Sequence, residues 1–302
     1  MDFLQIILQV LGVIMFLAKL VWEIIKIFIP LKYKMKEISG EIALVTGGAG
    51  GLGRSIAIEL SKHGVIVVIW DINEKGIEET VKLIQDAGGI CYGYVCNIIN
   101  REEVYERARQ LKKEIGKVTI LINNAGVINV QKFQNIPDNK LMQTMQVNII
   151  SQFWTTKAFL PGMIECNKGH IVSIASIAGF RSFPYLVDYC TSKHGIIGFY
   201  DALDMELYSD GYEINTTVVC PTIIIGTGMK AESYIRSRSM IPFVSCEEVA
   251  RQTIIAMRCN KKNITVPGYN SILRILNSIF PSIFFQVYYI FPKVYKITFC
   301  RK

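Results

Sequence analysis

The stretch that decides the fold is IALVTGGAGGLGRSIAIELSKHGVIVVIWD, residues 42 to 71. Ile42–Thr46 is a short apolar run of the kind that forms a buried strand. It enters the loop TGGAGGLG, residues 46 to 53. Glycines there permit a tight turn and a close approach by the backbone. Leu52–His63 then carries helical spacing. A helix opening out of such a loop points its unpaired N–H groups forward, which favours a pyrophosphate. Val65–Trp70 is the second strand, and Asp71 ends it. A glycine-rich loop alone is a weak sign. One that follows a strand, opens a helix and precedes a strand ending in an acid is the context of a dinucleotide fingerprint. Asp71 would accept hydrogen bonds from the adenosine ribose hydroxyls and repel a 2′-phosphate, so NAD(H) is expected rather than NADP(H). Arg54, just after the glycines, is the competing sign, because a basic side chain there could meet a 2′-phosphate.

The pattern continues outward. Ile90–Val95, Val118–Ile122, His170–Ala175, Ile214–Cys220 and Ile264–Val266 read as further strands. Glu74–Ala87 and Glu102–Ile115, between them, carry helical spacing. About seven apolar strands alternating with helices predict an α/β domain with a doubly wound parallel sheet, a Rossmann-like fold with right-handed crossovers.

A second constellation lies in SIAGFRSFPYLVDYCTSK, residues 176 to 193. Tyr189 and Lys193 are four positions apart and share one face of a helix. A nearby cation stabilises a phenolate and lowers a tyrosine pKa from about 10. Such a tyrosine could pass a proton at neutral pH, as alcohol–carbonyl interconversion requires. Ser176, at a strand end, could hold the same oxygen. The bare Tyr-x-x-x-Lys spacing arises by chance on many helices, so its weight comes from the cofactor loop.

Composition narrows the setting. The 302 residues suffice for one large domain or two small ones. The hydrophobic share of 51% is concentrated at the two ends of the chain. A net charge of +8 suits an anionic membrane surface or nucleic acid, but no dense basic run with interleaved aromatics supports nucleic-acid binding. Eight cysteines, none in a Cys-x-x-Cys pair, and three histidines give no zinc-site spacing, and no metal is expected. Scattered cysteines in a chain of this size read as reduced and cytosol-facing. Cys190 beside Tyr189 reads as packing.

Residues 3 to 29 are overwhelmingly apolar, and Pro30 ends the run. No basic region or small-residue cleavage site marks a signal peptide. Gln5, Gln9, Gly12, Lys19, Glu23 and Lys26 fall in one narrow helical stripe, with Lys19 and Glu23 placed to pair. The length suits a span, and the stripe suits a helix lying in the interface; both readings stay open. Lys32, Lys34 and Lys36 would keep the rest of the chain on the cytosolic side. The expected organisation is a membrane anchor with basic linker (1–36), a catalytic domain (37–270) and an apolar C-terminal segment (271–302). Pro281 and Pro292 break that last segment into pieces too short to span. It reads either as a second membrane contact or as a tail packed on the domain or on a dimer partner. Met229 to Phe243 reads as a helical lid, with Tyr234, Met240, Ile241 and Phe243 facing the pocket. Ser245 with Glu248 reads as a helix cap.

TGGAGGLG, NNAG (123–126), Asn148, Ser176 and YCTSK (189–193) together resemble the short-chain dehydrogenase/reductase family over roughly residues 38 to 270. WDIN (70–73), FWTTKAFLP (153–161), GHIV (169–172) and the hydrophobic N-terminus are similar to its membrane-associated 16C group. That group includes 17β-hydroxysteroid dehydrogenase 11-like and 13-like enzymes and epidermal retinol dehydrogenases. The resemblance implies an oxidoreductase at the endoplasmic reticulum membrane or the lipid droplet. Its domain would face the cytosol, and it would act on steroid, retinoid or related lipid alcohols; a homodimer is the oligomeric state that the resemblance suggests. It implies Tyr189 as general acid/base, with Lys193 lowering its pKa and binding the nicotinamide ribose. Ser176 would hold the substrate oxygen, and Asn148 would anchor a relay water. Gly47, Gly51, Leu52 and Gly53 would accept the pyrophosphate. Asn123, Ala125 and Gly126 would line the adenosine side and hold the central strands. Two positions depart from the family pattern. Asn97 stands where an aspartate usually meets the adenine, and an amide can keep that contact. PTIIIGTGM, from Pro221, replaces Pro-Gly-x3-Thr and puts Thr227 one place late on the nicotinamide side. The alternative reading from another class is a membrane or lipid-droplet scaffold that keeps the fold with weak chemistry.

Overall fold

A computed structural model describes residues 3–228 and 243–280. The chain divides into two compact units, Met1–Glu37 and Ile38–Lys302. The first is built on helix α1 (Phe3–Phe28), followed by a short turn at Leu31–Tyr33. Its described apolar side chains are exposed; Leu8, Met15, Phe16 and Trp22 lie between 55% and 72% accessible. Among the described residues, no helix is long and apolar enough to cross a membrane. The expected Lys19–Glu23 pair involves a side chain outside the described ones.

The second unit carries the sheet. Its strands are β1 (Ile42–Thr46), β2 (Ile66–Asp71), β3 (Cys91–Val95), β4 (Ile120–Asn123), β5 (Gly169–Ile174) and β6 (Ile214–Pro221). A short parallel pair, β7 (Ile223–Ile225) and β8 (Phe243–Ser245), stands apart from it, and β9 (Asn263–Val266) completes the main sheet. The order β3-β2-β1-β4-β5-β6-β9 is parallel throughout, so all seven expected strands are present, with ends displaced by one or two residues. Between β1 and β4 the winding reverses. The carboxyl ends of those strands therefore open a crevice, the place where ligands bind in such sheets.

Alternate strand residues feed two cores. Ala43, Val45, Val67 and Ile69 point to the layer of α2 (Gly51–Ser61), α3 (Glu74–Asp86) and α8 (Cys246–Arg258). Leu44, Val68 and Trp70 point to the layer of α4 (Arg101–Glu114), α6 (Ser151–Glu165) and α7 (Val187–Ser209). Each fully buried Leu or Ile stabilises the unit by roughly 1.5–3 kcal/mol. Helix α5 (Asp138–Met145) runs into α6 through a single π turn, Gln146–Ile150. The last described helix is α9 (Asn270–Ile279), which leaves Ile272, Ile275 and Ile279 exposed.

Two expectations for the C-terminal third are corrected or left aside. Phe243 opens strand β8 rather than lining a lid, because its backbone pairs with Ile223. Tyr234, Met240 and Ile241, and the apolar segment from Pro281 onward, lie outside the described residues. The cap at Ser245 is present: its hydroxyl accepts from Glu248 N at 3.2 Å. The Glu248 carboxylate turns to Arg251 and Gln252 instead of completing the reciprocal bond.

Candidate active site

A cavity of about 770 Å³ opens at the crevice. It is lined by the glycine loop, the end of β2, the segment after β4, the end of β5 and the first turns of α7. One end is built mainly of backbone, the other of side chains.

At the first end, three glycines are fixed by close contacts. A Cβ on Gly53 would stand 2.0 Å from the carbonyl oxygen of Gly47 and 2.6 Å from Asn124 Nδ2. Gly47 has φ +69° and packs on Ala125, and Gly51 has φ +51° and packs on the backbone of Thr227. Such φ values suit glycine alone. A Cβ on Gly50 would meet nothing within 4 Å, so the loop borders open space. Helix α2 starts there with no acidic residue in its first turn. Its leading N–H groups form a site that fits a pyrophosphate. The residues present therefore fit a dinucleotide.

Asp71 is half-buried at the cavity wall. Its Oδ2 accepts from Ala49 N at 3.0 Å, and its Oδ1 accepts from Ile72 N at 2.7 Å and Asn73 N at 3.0 Å. The carboxylate thus ties the glycine loop to the end of β2 and keeps acceptor capacity for a ribose hydroxyl. Arg54 is turned away. Its guanidinium donates to Thr80 Oγ1, Ala49 O and Glu79 Oε2 at 2.6–2.9 Å, and it does not line the cavity. Arg54 thus takes no part in the cavity, in line with the expectation that Asp71 outweighs it. Leu52, Asn97, Ala125, Gly126, Pro221 and Thr227 all line the cavity as expected. Asn97 Oδ1 accepts from Ile99 N at 3.3 Å, a bond that leaves its Nδ2 donors unused.

Asn123 is a correction. It is 2% exposed, and both ends of its amide are engaged: Nδ2 donates to Tyr200 Oη at 2.8 Å and Oδ1 accepts from Thr155 Oγ1 at 2.8 Å. It holds β4 to α6 and α7 and does not line the cavity. Its neighbour Asn124 does, and donates to Thr46 O at 3.0 Å, bracing the glycine loop. Of the two roles expected of Asn123, holding the central strands is met, and the cavity wall falls to Asn124 of the same NNAG motif.

At the second end, Ser176, Tyr189 and Lys193 converge. Ser176 follows β5, and its Oγ accepts from Ala178 N at 3.1 Å. That bond leaves the hydroxyl proton available to donate, and the Ser176 hydroxyl acts to lower the Tyr189 pKa. Lys193 is 4% exposed; its Nζ donates to Ile174 O at 2.8 Å and lies 5.5 Å from the centre of the Tyr189 ring. Burial lowers the Lys193 pKa to about 8. Burial also pushes Tyr189 up to about 12, against a smaller lowering by the Ser176 hydroxyl. The expected lowering of the Tyr189 pKa by Lys193 is therefore overturned for the protein alone. The ammonium is directed to a carbonyl, and loss of water around the phenol outweighs its neighbours.

The π turn places Asn148 inward, a local irregularity common at functional sites. Its amide pairs with both backbone groups of Val127, Oδ1 accepting from N at 2.8 Å and Nδ2 donating to O at 2.9 Å. Nδ2 also donates to Ser192 Oγ at 3.0 Å, and Ser192 Oγ donates to Tyr189 O at 2.7 Å. Asn148 thus locks the wall after β4 to the Tyr189 turn of α7. Its main-chain carbonyl accepts from Gln152 Nε2 at 2.9 Å. Ser192 and Gln152 were not singled out from sequence; their partners lie far along the chain, and no spacing rule connects them.

The short chain dehydrogenase family model matches residues 41–237. Human 17-beta-hydroxysteroid dehydrogenase 13 is 40% identical over 260 residues, covering 86% of this chain and 85% of that one. Short-chain dehydrogenase/reductase family 16C member 6 of Bos taurus is 41% identical over 248 residues, covering 82% and 78%. Estradiol 17-beta-dehydrogenase 11 of Rattus norvegicus is 39% identical over 255 residues, covering 84% of each. Among solved structures, a short chain dehydrogenase/reductase from Burkholderia phymatum in complex with NAD superposes with TM-score 0.75 at 24% identity, over 82% of this chain and 96% of that one, and supports the fold. On the family match and these identities, the chain belongs to the short chain dehydrogenase family.

Proposed function

We propose that the protein transfers a hydride between NAD(H) and a lipophilic alcohol or its carbonyl, working at a membrane or lipid-droplet surface. The observation that carries the reading is the convergence of Ser176, Tyr189 and Lys193 on the cavity that the glycine loop and Asp71 also border. Hydroxysteroids are the first substrate class to try, because several relatives bear hydroxysteroid or estradiol dehydrogenase names. NAD rather than NADP follows from the Asp71 carboxylate and from the engagement of Arg54 elsewhere.

The bound nicotinamide supplies the hydride acceptor or donor. Everything else falls to this chain. Leu52, Gly53 and the other leading amides of α2 hold the pyrophosphate, and Asp71 accepts from the ribose. Ser176 donates to the substrate oxygen and stabilises charge developing on it. Tyr189 Oη takes the alcohol proton in oxidation and returns it in reduction. Lys193, whose Nζ donates to Ile174 O, binds a ribose hydroxyl. Asn148 keeps the Tyr189 turn in place. Because the phenol is held high, kcat/KM for oxidation rises with pH well above neutrality, whereas that for reduction, which uses the protonated phenol, does not.

Helix α1, with its polar stripe and exposed apolar side chains, is proposed to lie in the membrane interface, placing the enzyme on the endoplasmic reticulum or lipid droplet with its second unit in the cytosol. Deleting residues 1–30 then abolishes co-sedimentation with anionic vesicles; full retention contradicts α1 as the anchor. The catalytic reading is tested by supplying the full chain on vesicles with NAD, NADP and a panel of hydroxysteroids and other lipid alcohols. NADH formation is expected. Turnover with NADP alone would refute the cofactor reading, and no turnover of any alcohol would favour the scaffold.

A further inference from the structure

The cavity has a polar group that the proposed chemistry does not use. Gln143 lies on α5 and lines the cavity one helical turn before Val147, which also lines it. Val147 precedes Asn148, and Gln143, four residues earlier on the same face, is exposed. Val127, Ile128, Val147, Phe183 and Leu186 are apolar members of the cavity lining. An amide in such a lining can fix orientation, as the few polar groups of a largely apolar pocket do.

The amide is itself oriented. Lys140 Nζ donates to Gln143 Oε1 at 3.0 Å. An ammonium has no acceptor, so the oxygen must face Lys140 and the NH₂ must face the other way. With its oxygen engaged by Lys140, Gln143 has both NH₂ donors left for a ligand. Its position on the helix is set from beneath by the next residue. Thr144 Oγ1 donates to Asp188 Oδ2 at 2.8 Å, and Asn129 Nδ2 donates to that same oxygen at 3.0 Å and to Lys140 O at 3.2 Å. Asp188 is 3% exposed and sits in the first turn of α7, directly before Tyr189. One buried carboxylate thus references the Gln143 turn to the catalytic turn.

We propose that Gln143 is a specificity-determining residue that donates a hydrogen bond to an acceptor, such as a carbonyl, at the end of the substrate remote from the reacting carbon. This rests on the dehydrogenase reading above and narrows its substrate class to lipophilic alcohols that carry a second, hydrogen-bond-accepting group. The test uses the full chain with NAD and two probes: a hydroxysteroid with a ring carbonyl at its far end, and the same steroid with that carbonyl replaced by methylene. Gln143→Leu is expected to lower kcat/KM for the keto probe about tenfold, through KM, the size of one neutral hydrogen bond. The deoxo probe should change by less than about twofold. Gln143→Glu, which would pair with Lys140 and offer only acceptors, should also lose the keto probe selectively. Equal effects on both probes, or none on either, would overturn the inference while leaving the dehydrogenase reading intact. Failure of the unmodified enzyme to turn over either probe, while other alcohols are oxidised, would overturn it too. Failure with every alcohol removes both readings.

Discussion

The two ends of the cavity are held in different ways. The cofactor end is made of backbone: glycines in contact with carbonyls, and an aspartate whose oxygens are occupied by three main-chain N–H groups. The catalytic end is made of side chains on helices, held by burial, with a lysine amine and a tyrosine phenol both removed from water. The first end fails by losing space, so a single added carbon should matter there. The second fails by losing a charge or a proton, so isosteric changes should leave it folded and inactive.

The largest effect that would sharpen this contrast is on chemistry. Ser176→Ala should reduce kcat a hundredfold or more, about 3 kcal/mol of transition-state stabilisation, with the melting temperature nearly unchanged. A stability loss large enough to explain the activity loss would erase the distinction between the two ends. Next comes the linkage at Lys193. Unfolded, its amine titrates near 10.5; folded, near 8. Below pH 8 both states hold the proton, and burying the ammonium costs the native state about 3 kcal/mol. Between pH 8 and 10.5 the native state sheds its proton first and that cost is relieved. The unfolding free energy of the wild type minus that of Lys193→Met should therefore rise across this window, as read by denaturant titration at stepped pH. A flat difference would show that the amine is not held low.

Smaller changes probe the backbone end. Gly53→Ala, whose Cβ would press on Gly47 O and Asn124, should destabilise by about 1–3 kcal/mol and weaken NADH binding. An unaffected mutant would mean that the loop gives way easily. Smallest is Asp71→Asn, which keeps the shape and two of the acceptor sites but removes the charge. The preference for NAD over NADP, measured by kcat/KM for each, should fall about tenfold. Unchanged selectivity would assign the discrimination to space rather than charge.

The contrast also explains what could be read from the chain. The parallel sheet was legible because each strand is an apolar run between helical stretches, and burial on both faces leaves no other pattern. Ser176, Tyr189 and Lys193 were legible because the cofactor loop and the spaced family motifs gave weight to a Tyr-x-x-x-Lys spacing that arises by chance on many helices. The fate of Arg54 was not, since a sequence does not tell whether a long side chain will reach Glu79 and Ala49 O or the cavity. Asn123 and Asn124 exchanged roles for a related reason: adjacent residues at a strand end point to opposite faces, and only the packing of Tyr200 and Thr155 decides which face holds the amide. The proton affinity of Tyr189 was missed because spacing gives the neighbour but not the loss of water.

The central claim is that Tyr189 exchanges the proton in a site preformed by the rest of the chain. Tyr189→Phe removes one oxygen from a half-buried ring and should leave the fold and NADH affinity within about twofold of wild type. NADH formation from any alcohol oxidised by the wild type should fall at least about a thousandfold. Turnover within about tenfold of wild type, at unchanged NADH affinity, would contradict the claim.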